Sequence, residues 1–137
     1  MSWHPSAGDV AARLPARFHG QEPSELTVPT ASQITAVVND RVAELRIRCG
    51  DVDAAVDAVD EPRASQVEAY AKETVTIGAA AYIESAFFPE QHGADTSAAI
   101  FLRMRYEEHL AHLRRQVHTV WYARRTAPEP GDFDEQE

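Results

Sequence analysis

Three segments of the chain repeat their apolar residues every three or four positions, which is the spacing of one face of an α-helix. The first segment follows Pro29, where Thr30 and Gln33 match the capping-box pattern that starts a helix. Gly50 supplies a stop at the other end. The pattern therefore predicts a helix over residues 31–49. Its apolar positions are Ile34, Val38, Val42, Leu45 and Cys49.

The other two periodic segments are longer. An alanine-rich stripe predicts a helix over about residues 64–88, and its small residues allow a second backbone to approach closely. Pro89 and Gly93 end this stripe. The third segment predicts a helix over residues 97–124, which at 1.5 Å per residue would be roughly 40 Å long. Its inward positions are Leu102, Tyr106, Leu110, Leu113 and Val117, followed by Val120 or Trp121.

The segments between and around these helices are rich in proline or in acidic residues. Four prolines and two glycines in residues 1–29 predict an extended N-terminal arm, with at most a short helix around Asp9–Leu14. Residues 51–62 read as an acidic connector containing a short helix from Val52 to Val59. Residues 126–137 form an acidic tail that we expect to be flexible when free. The fold class is therefore all-α, a small helical bundle in one domain over residues 30–125.

Composition narrows the possible functions. The formal charge of −9 argues against a free-standing nucleic-acid binder, because phosphate contacts need an excess of Lys and Arg. The signs are also segregated, with about −8 in residues 51–95, about +4 in 96–126 and −5 in the tail. Cys49 is the only cysteine, so we expect no disulfide framework and a buried, inert thiol. We expect neither a signal peptide nor a membrane span, and synthesis in the cytosol.

No residue pattern indicates catalysis. Glu108, His109 and His112 lie close enough on one helix to bind a shared metal ion. However, a di-metal site in a helical bundle needs Glu-x-x-His motifs on paired helices, and the sequence has no such motif. A solvated helix face is the favoured interpretation of these residues. The chain has no nucleophile elbow, no P-loop and no dinucleotide-binding glycine pattern. We therefore expect no enzyme activity, no metal site and no cofactor.

The third helix is the one basic element. Its six arginines could contact DNA backbone or an acidic protein, although ordinary surface arginines would look the same. Trp121 and Tyr122, flanked by Arg124 and Arg125, form the best candidate for protein binding because these residue types dominate interface energetics. Trp121 could instead cover the core.

The order of these elements resembles that of one known protein family. The run ETVTIGAAAYIESAFFPEQHG, followed by a long helix beginning SAAIFLRMRYEEHLAHLRRQV, resembles the head-to-tail adaptor (connector) proteins of tailed bacteriophages, particularly phages of actinobacteria. The resemblance covers about residues 30–118. The most telling part is the alanine-rich helix ending in AFFPEQ, then a short loop and a helix carrying RYEEHLAHL.

This resemblance implies a structural virion protein without catalytic residues. Such adaptors assemble as a homo-oligomeric ring, commonly twelvefold, between the capsid portal and the neck or tail proteins, where they continue the DNA channel and contact packaged DNA transiently. The implied portal-binding residues are His118, Trp121, Tyr122, Arg124 and Arg125. The residues implied in packing between subunits are Tyr82, Phe87, Phe88 and Tyr106. The alternative is a helical interaction or regulatory protein that binds DNA or an acidic partner through the arginine-rich third helix.

Overall fold

The computed structural model of the chain describes residues 3–89 and 97–126, with the backbone alone described at Ser97 and over 121–126. These ranges contain six helices and no strand, which confirms the all-α fold class. In chain order they are α1 (Ala7–Ala11), α2 (Pro15–Phe18), α3 (Ala31–Cys49), α4 (Val52–Asp57), α5 (Arg63–Phe87) and α6 (Ser97–Thr126). Among them, none is long and apolar enough to cross a membrane.

Helix α3 has the bounds that the sequence predicts. The Thr30 side chain accepts a hydrogen bond from the Gln33 amide at 3.2 Å, and the Gln33 side chain accepts one from the Thr30 amide at 2.9 Å. This capping box satisfies two amides that have no partner inside the helix. Gly50, with φ at 95°, ends the helix in a conformation that a side chain would disfavour.

Helix α5 lies at the centre of the bundle. Every residue from Thr74 to Ala81 is buried, whereas a helix on a protein surface buries only one stripe. The hydroxyl groups of Thr74 and Thr76 donate back to the carbonyls of Tyr70 and Lys72, so these two polar side chains are satisfied inside the core. Helices α1, α3, α4 and α6 all contact α5.

Helix α6 packs against α5 at an unusually close approach. A Cβ added to Gly78 would lie 2.5 Å from a carbon of the Tyr106 ring, so this ring rests directly on the α5 backbone. The Tyr106 hydroxyl donates to Glu44 of α3 and thereby joins the three long helices. The helix runs two residues further than predicted, to Thr126. The acidic tail lies outside the described residues apart from Thr126.

The N-terminal segment differs from the extended arm that the sequence suggests. It forms two short helices and contributes buried side chains to the core, namely Trp3, Val10, Ala11, Leu14 and Phe18. Trp3 donates its indole N–H to Asp53 at 2.8 Å, and Arg17 pairs with the buried Glu84 of α5. The prolines keep these helices short, but short helices still bury apolar side chains. The segment is a strap across the bundle, and residues 51–62 likewise pack inward through Val52 and Ala55 of α4.

Candidate protein-binding site

A cleft of about 690 Å³ lies between the last turns of α3 and the C-terminal half of α6. Leu110 of α6 lies in it beside Arg48 of α3, and neither helix closes its outer side. We call it the basic cleft. The residues that line it are Ile47, Arg48, Leu110, Ala111, Arg114, Arg115, His118 and Thr119.

Helix periodicity explains why these side chains face outward. Helix α3 buries Leu45 and Cys49, so the intervening Ile47 and Arg48 are turned away from the core. In α6, Leu113 and Val117 are buried, and Arg114 and Arg115 between them are exposed to solvent. The same burial pattern that builds the core therefore places cationic side chains on both walls of the cleft.

The cleft has a strongly positive lining. Arg48 donates to both carboxylate oxygens of Glu107, at 3.0 and 2.7 Å, and this contact lowers the pKa of the Glu107 carboxyl group. Within the described part of the chain, Arg114 and Arg115 form no ion pair. Two guanidinium groups thus remain available to an anionic partner.

An exposed apolar side chain stands at the edge of this cationic lining. Ile47 is 84% exposed and lies in α3 between two arginines. Apolar contact area combined with arginine is characteristic of protein interfaces and would be unnecessary in a site for a small inorganic anion. The cleft is therefore suited to a peptide that carries both acidic and apolar side chains.

A second exposed surface lies at the beginning of α6. Ile100, Phe101 and Met104 are each more than half exposed, and Arg105 lies over the Phe101 ring at 5.8 Å from its centroid. We call these three side chains the α6 apolar face. Large apolar side chains clustered on the surface of a small domain are a candidate contact surface.

The residues predicted to bind a portal are only partly described. His118 is exposed and lines the basic cleft. Trp121, Tyr122, Arg124 and Arg125 belong to α6, but their side chains lie outside the described part of the structure. Whether Trp121 contacts a partner or the core stays a prediction.

Of the residues predicted to pack between subunits, Tyr106 does not fit that role. Its side chain is 4% exposed and is enclosed by its own protomer, because its ring covers Gly78 and its hydroxyl binds Glu44. Burial and this hydrogen bond raise the pKa of Tyr106 well above its usual value. Tyr82 is 48% exposed with Arg41 near its ring, and Phe87 and Phe88 are half-buried.

The histidine cluster is used in packing. His109 stacks on Tyr70 with 4.8 Å between ring centroids and 9° between planes, and His112 lies 5.1 Å from the same ring. Within the described ranges, no group of three or more His, Cys, Asp or Glu residues is arranged to hold a metal ion. Burial raises the pKa of Cys49 to about 11, and its thiol donates to the Leu110 carbonyl, so this thiol is a poor nucleophile.

The fold and these surfaces define a small all-α protein with a basic cleft and an exposed apolar face on its longest helix. Comparisons with protein-family models, with curated proteins and with solved structures return no match. Sequence reasoning missed Ile47 and the α6 apolar face. A helical projection carries the signal, because these apolar residues fall on the polar sides of their helices.

Proposed function

We propose that this chain is a structural virion protein that forms a ring between the capsid portal and the tail or neck and continues the DNA channel. The observation that carries the proposal is the α6 apolar face, formed by Ile100, Phe101 and Met104. A second copy that covers this face would remove it from water, so assembly would stabilise the folded subunit by mass action.

The family resemblance supplies the identity of the assembly. The stretches that carry it include the start of α6, where the apolar face lies. In this proposal the portal contact belongs to the C-terminal part of α6, with Trp121 as its aromatic anchor. The net charge of −9 also suits a channel, because a repulsive wall lets packaged DNA slide.

A second candidate function is favoured by the basic cleft. Arg114 and Arg115 could bind DNA phosphates or an acidic protein, which would make the chain a helical regulatory or interaction protein. The two candidates differ in assembly, because a regulatory protein of this kind would not need a closed ring of many copies.

The first experiment measures the mass of the purified protein by light scattering, alone and mixed with a portal protein, followed by electron microscopy. A ring or a portal-bound collar is the expected result. A compact monomer or dimer that ignores the portal would reject the adaptor function and favour the regulatory one.

A variant carrying Ile100→Ser and Met104→Ser tests the surface itself. We expect it to remain folded and to assemble at least about tenfold more weakly, since two apolar contacts of about 1 kcal/mol each would be lost. Leu26→Ser is the control, because Leu26 is a still more exposed apolar side chain, at 95%, and lies outside α6. Equal assembly of both variants would mean that the α6 apolar face is not the subunit contact.

Portal attachment is tested separately with Trp121→Ala. Removal of a buried aromatic anchor typically weakens binding by more than about 2 kcal/mol, so we expect the variant to form rings that no longer copurify with the portal. Unchanged copurification would refute the assignment of Trp121.

A further inference from the structure

Two of the three arginines that line the basic cleft have no carboxylate partner among the described residues, whereas Arg48 is paired with Glu107. Arg114 and Arg115 form no ion pair with any described residue, and the neighbouring Ile47 is 84% exposed. A partner that satisfies both features must present carboxylates together with a large apolar side chain. A nucleic-acid backbone would satisfy the arginines and leave the isoleucine without a partner.

Residues 127–137 of the same chain have this chemistry. The segment contains five acidic residues and no basic one, and its single aromatic residue, Phe133, stands between Asp132 and Asp134. The other acidic stretch, residues 51–61, contains no aromatic residue and is already packed on the bundle through Val52 and Ala55. Charge and apolar content together select the C-terminal segment.

We propose that the basic cleft binds the segment Asp132–Glu135 of a neighbouring copy of the chain, with Phe133 against Ile47 and the carboxylates on Arg114 and Arg115. The proposal rests on the proposed function in one respect, namely that it needs a second copy close to α6. The cleft has the volume of sites that hold drug-sized ligands, which is sufficient for these four residues.

Chain geometry favours a neighbouring copy over the chain's own segment. From Arg115 to Thr126 the helix carries the chain about 16 Å past the cleft. The seven residues from Thr126 to Phe133 can span at most about 24 Å. A return to its own cleft would need a reversal directly after the helix, whereas the cleft of a neighbouring copy can be reached without that reversal.

Photo-cross-linking with mixed isotopes tests which cleft is occupied. Gln136→Cys is labelled with a benzophenone maleimide, and Cys49 stays unmodified because it is buried and the pKa of its thiol is raised to about 11. The labelled protein is mixed with protein that was grown in ¹⁵N and carries no benzophenone, and the mixture is illuminated and digested. We expect peptides that join a light tail to a heavy cleft segment containing Ile47 or Arg114–Thr119.

Matched charge variants test specificity. Adding Asp132→Asn and Asp134→Asn should lower the yield of light–heavy product at least about fivefold. Each exposed ion pair is weak alone, but the double variant removes two of them. Asp57→Asn with Asp60→Asn changes the net charge equally at exposed positions outside the cleft and should leave the yield within about twofold. Phe133→Ala should also lower it, and added salt should lower it further.

Three results would overturn the proposal. The first is that every product joins a light peptide to a light peptide, which would place the segment in its own cleft. The second is that the products map outside the cleft. The third is that no tail product forms while the protein binds DNA and loses that binding on Arg114→Glu/Arg115→Glu substitution. Light scattering on the same samples separates the two proposals. Rings whose cross-linked products map outside the cleft would support the ring function and reject the tail contact. Dimers that give light–heavy cleft products would support the tail contact and reject the ring function.

Discussion

Helices α5 and α6 are both long, yet they meet their surroundings in opposite ways. The middle of α5, from Thr74 to Ala81, is enclosed on every side, whereas α6 buries one stripe and exposes both arginines and large apolar side chains. The α5 sequence is rich in alanine and contains Gly78, and these small residues let four other helices approach its backbone. The outer surface of α6 is instead exposed to solvent, where another molecule can contact it.

This difference separates folding from association. A change in α5 should alter the free energy of unfolding of each protomer, because every α5 side chain there has neighbours in its own chain. A change on the outer side of α6 should leave the protomer folded and alter what it binds. Substitutions matched between the two helices can therefore test the distinction.

The largest contrast is expected from one substitution made in both helices. Ile77 of α5 is 1% exposed and Ile100 of α6 is 53% exposed. Ile77→Ala should lower the free energy of unfolding by about 2–5 kcal/mol, because it leaves a cavity in the core. Ile100→Ala should change it by less than about 0.5 kcal/mol. Urea unfolding at a protein concentration low enough to keep the protomer unassembled measures both, and similar losses would contradict the contrast.

The next prediction concerns the contact between the N-terminal strap and the buried side of α5. Arg17 reaches from α2 to the buried Glu84, and Phe88 lies beneath its guanidinium at 4.6 Å. Arg17→Leu should lower the free energy of unfolding by about 2–4 kcal/mol, since it removes the cation from a buried carboxylate.

Arg13→Leu is the control for this pair. Arg13 belongs to the same strap and pairs with Glu73 of α5, but these side chains are 41% and 31% exposed, so loss of the pair should cost less than about 1 kcal/mol. Equal losses in thermal or urea unfolding would show that burial of the Glu84 contact has no energetic effect.

Contact between the two helices can be tested at Gly78. Alanine normally favours a helix over glycine, but a Cβ here would meet the buried Tyr106 ring. Gly78→Ala should therefore destabilise the protein by about 1–3 kcal/mol through overpacking. Gly8→Ala is the control, because the closest neighbour of its Cβ would be the Glu22 carboxylate, which lies at the flexible end of an exposed side chain. Stabilisation by Gly78→Ala would refute the close packing.

The long helices could be predicted from sequence because each repeats its pattern over many turns. The Thr30 cap and Gly50 stop gave α3 its bounds, and α5 and α6 differ from prediction by only one or two residues. The strap was less predictable. Helices as short as α1 and α2 carry too few periods to reveal a buried face, so Trp3 and Phe18 could not be recognised as core residues from spacing.

The candidate site was predictable only in part, for a related reason. The positive charge of α6 and the exposure of His118 follow from its own sequence. The cleft, however, needs α3 alongside α6, and only the tertiary structure brings Ile47 next to Ala111 and Arg114. Periodicity identified Tyr106 as an inward side chain of α6, but it could not show that the surface beneath its ring is Gly78 of the same chain.

The smallest expected effect concerns the seam where His109 of α6 stacks on Tyr70 of α5. Burial lowers the pKa of His109, and Arg105 and His112 lower it further against the opposing charges of Glu73 and Glu108. The folded protein therefore resists protonation that the unfolded chain accepts, so this contribution to stability is complete above pH 6.5 and declines as the pH falls below that value.

His109→Phe keeps an aromatic ring on Tyr70 and removes the titration. We expect its free energy of unfolding to decline less than that of the unmodified protein between pH 7 and pH 5, as measured by urea unfolding at a series of pH values. Carboxylates and His4 titrate in both proteins, so the difference between the two curves isolates His109. Parallel curves would mean that the seam is open to solvent, and that α6 is less firmly held on α5 at this point than the stacking geometry implies.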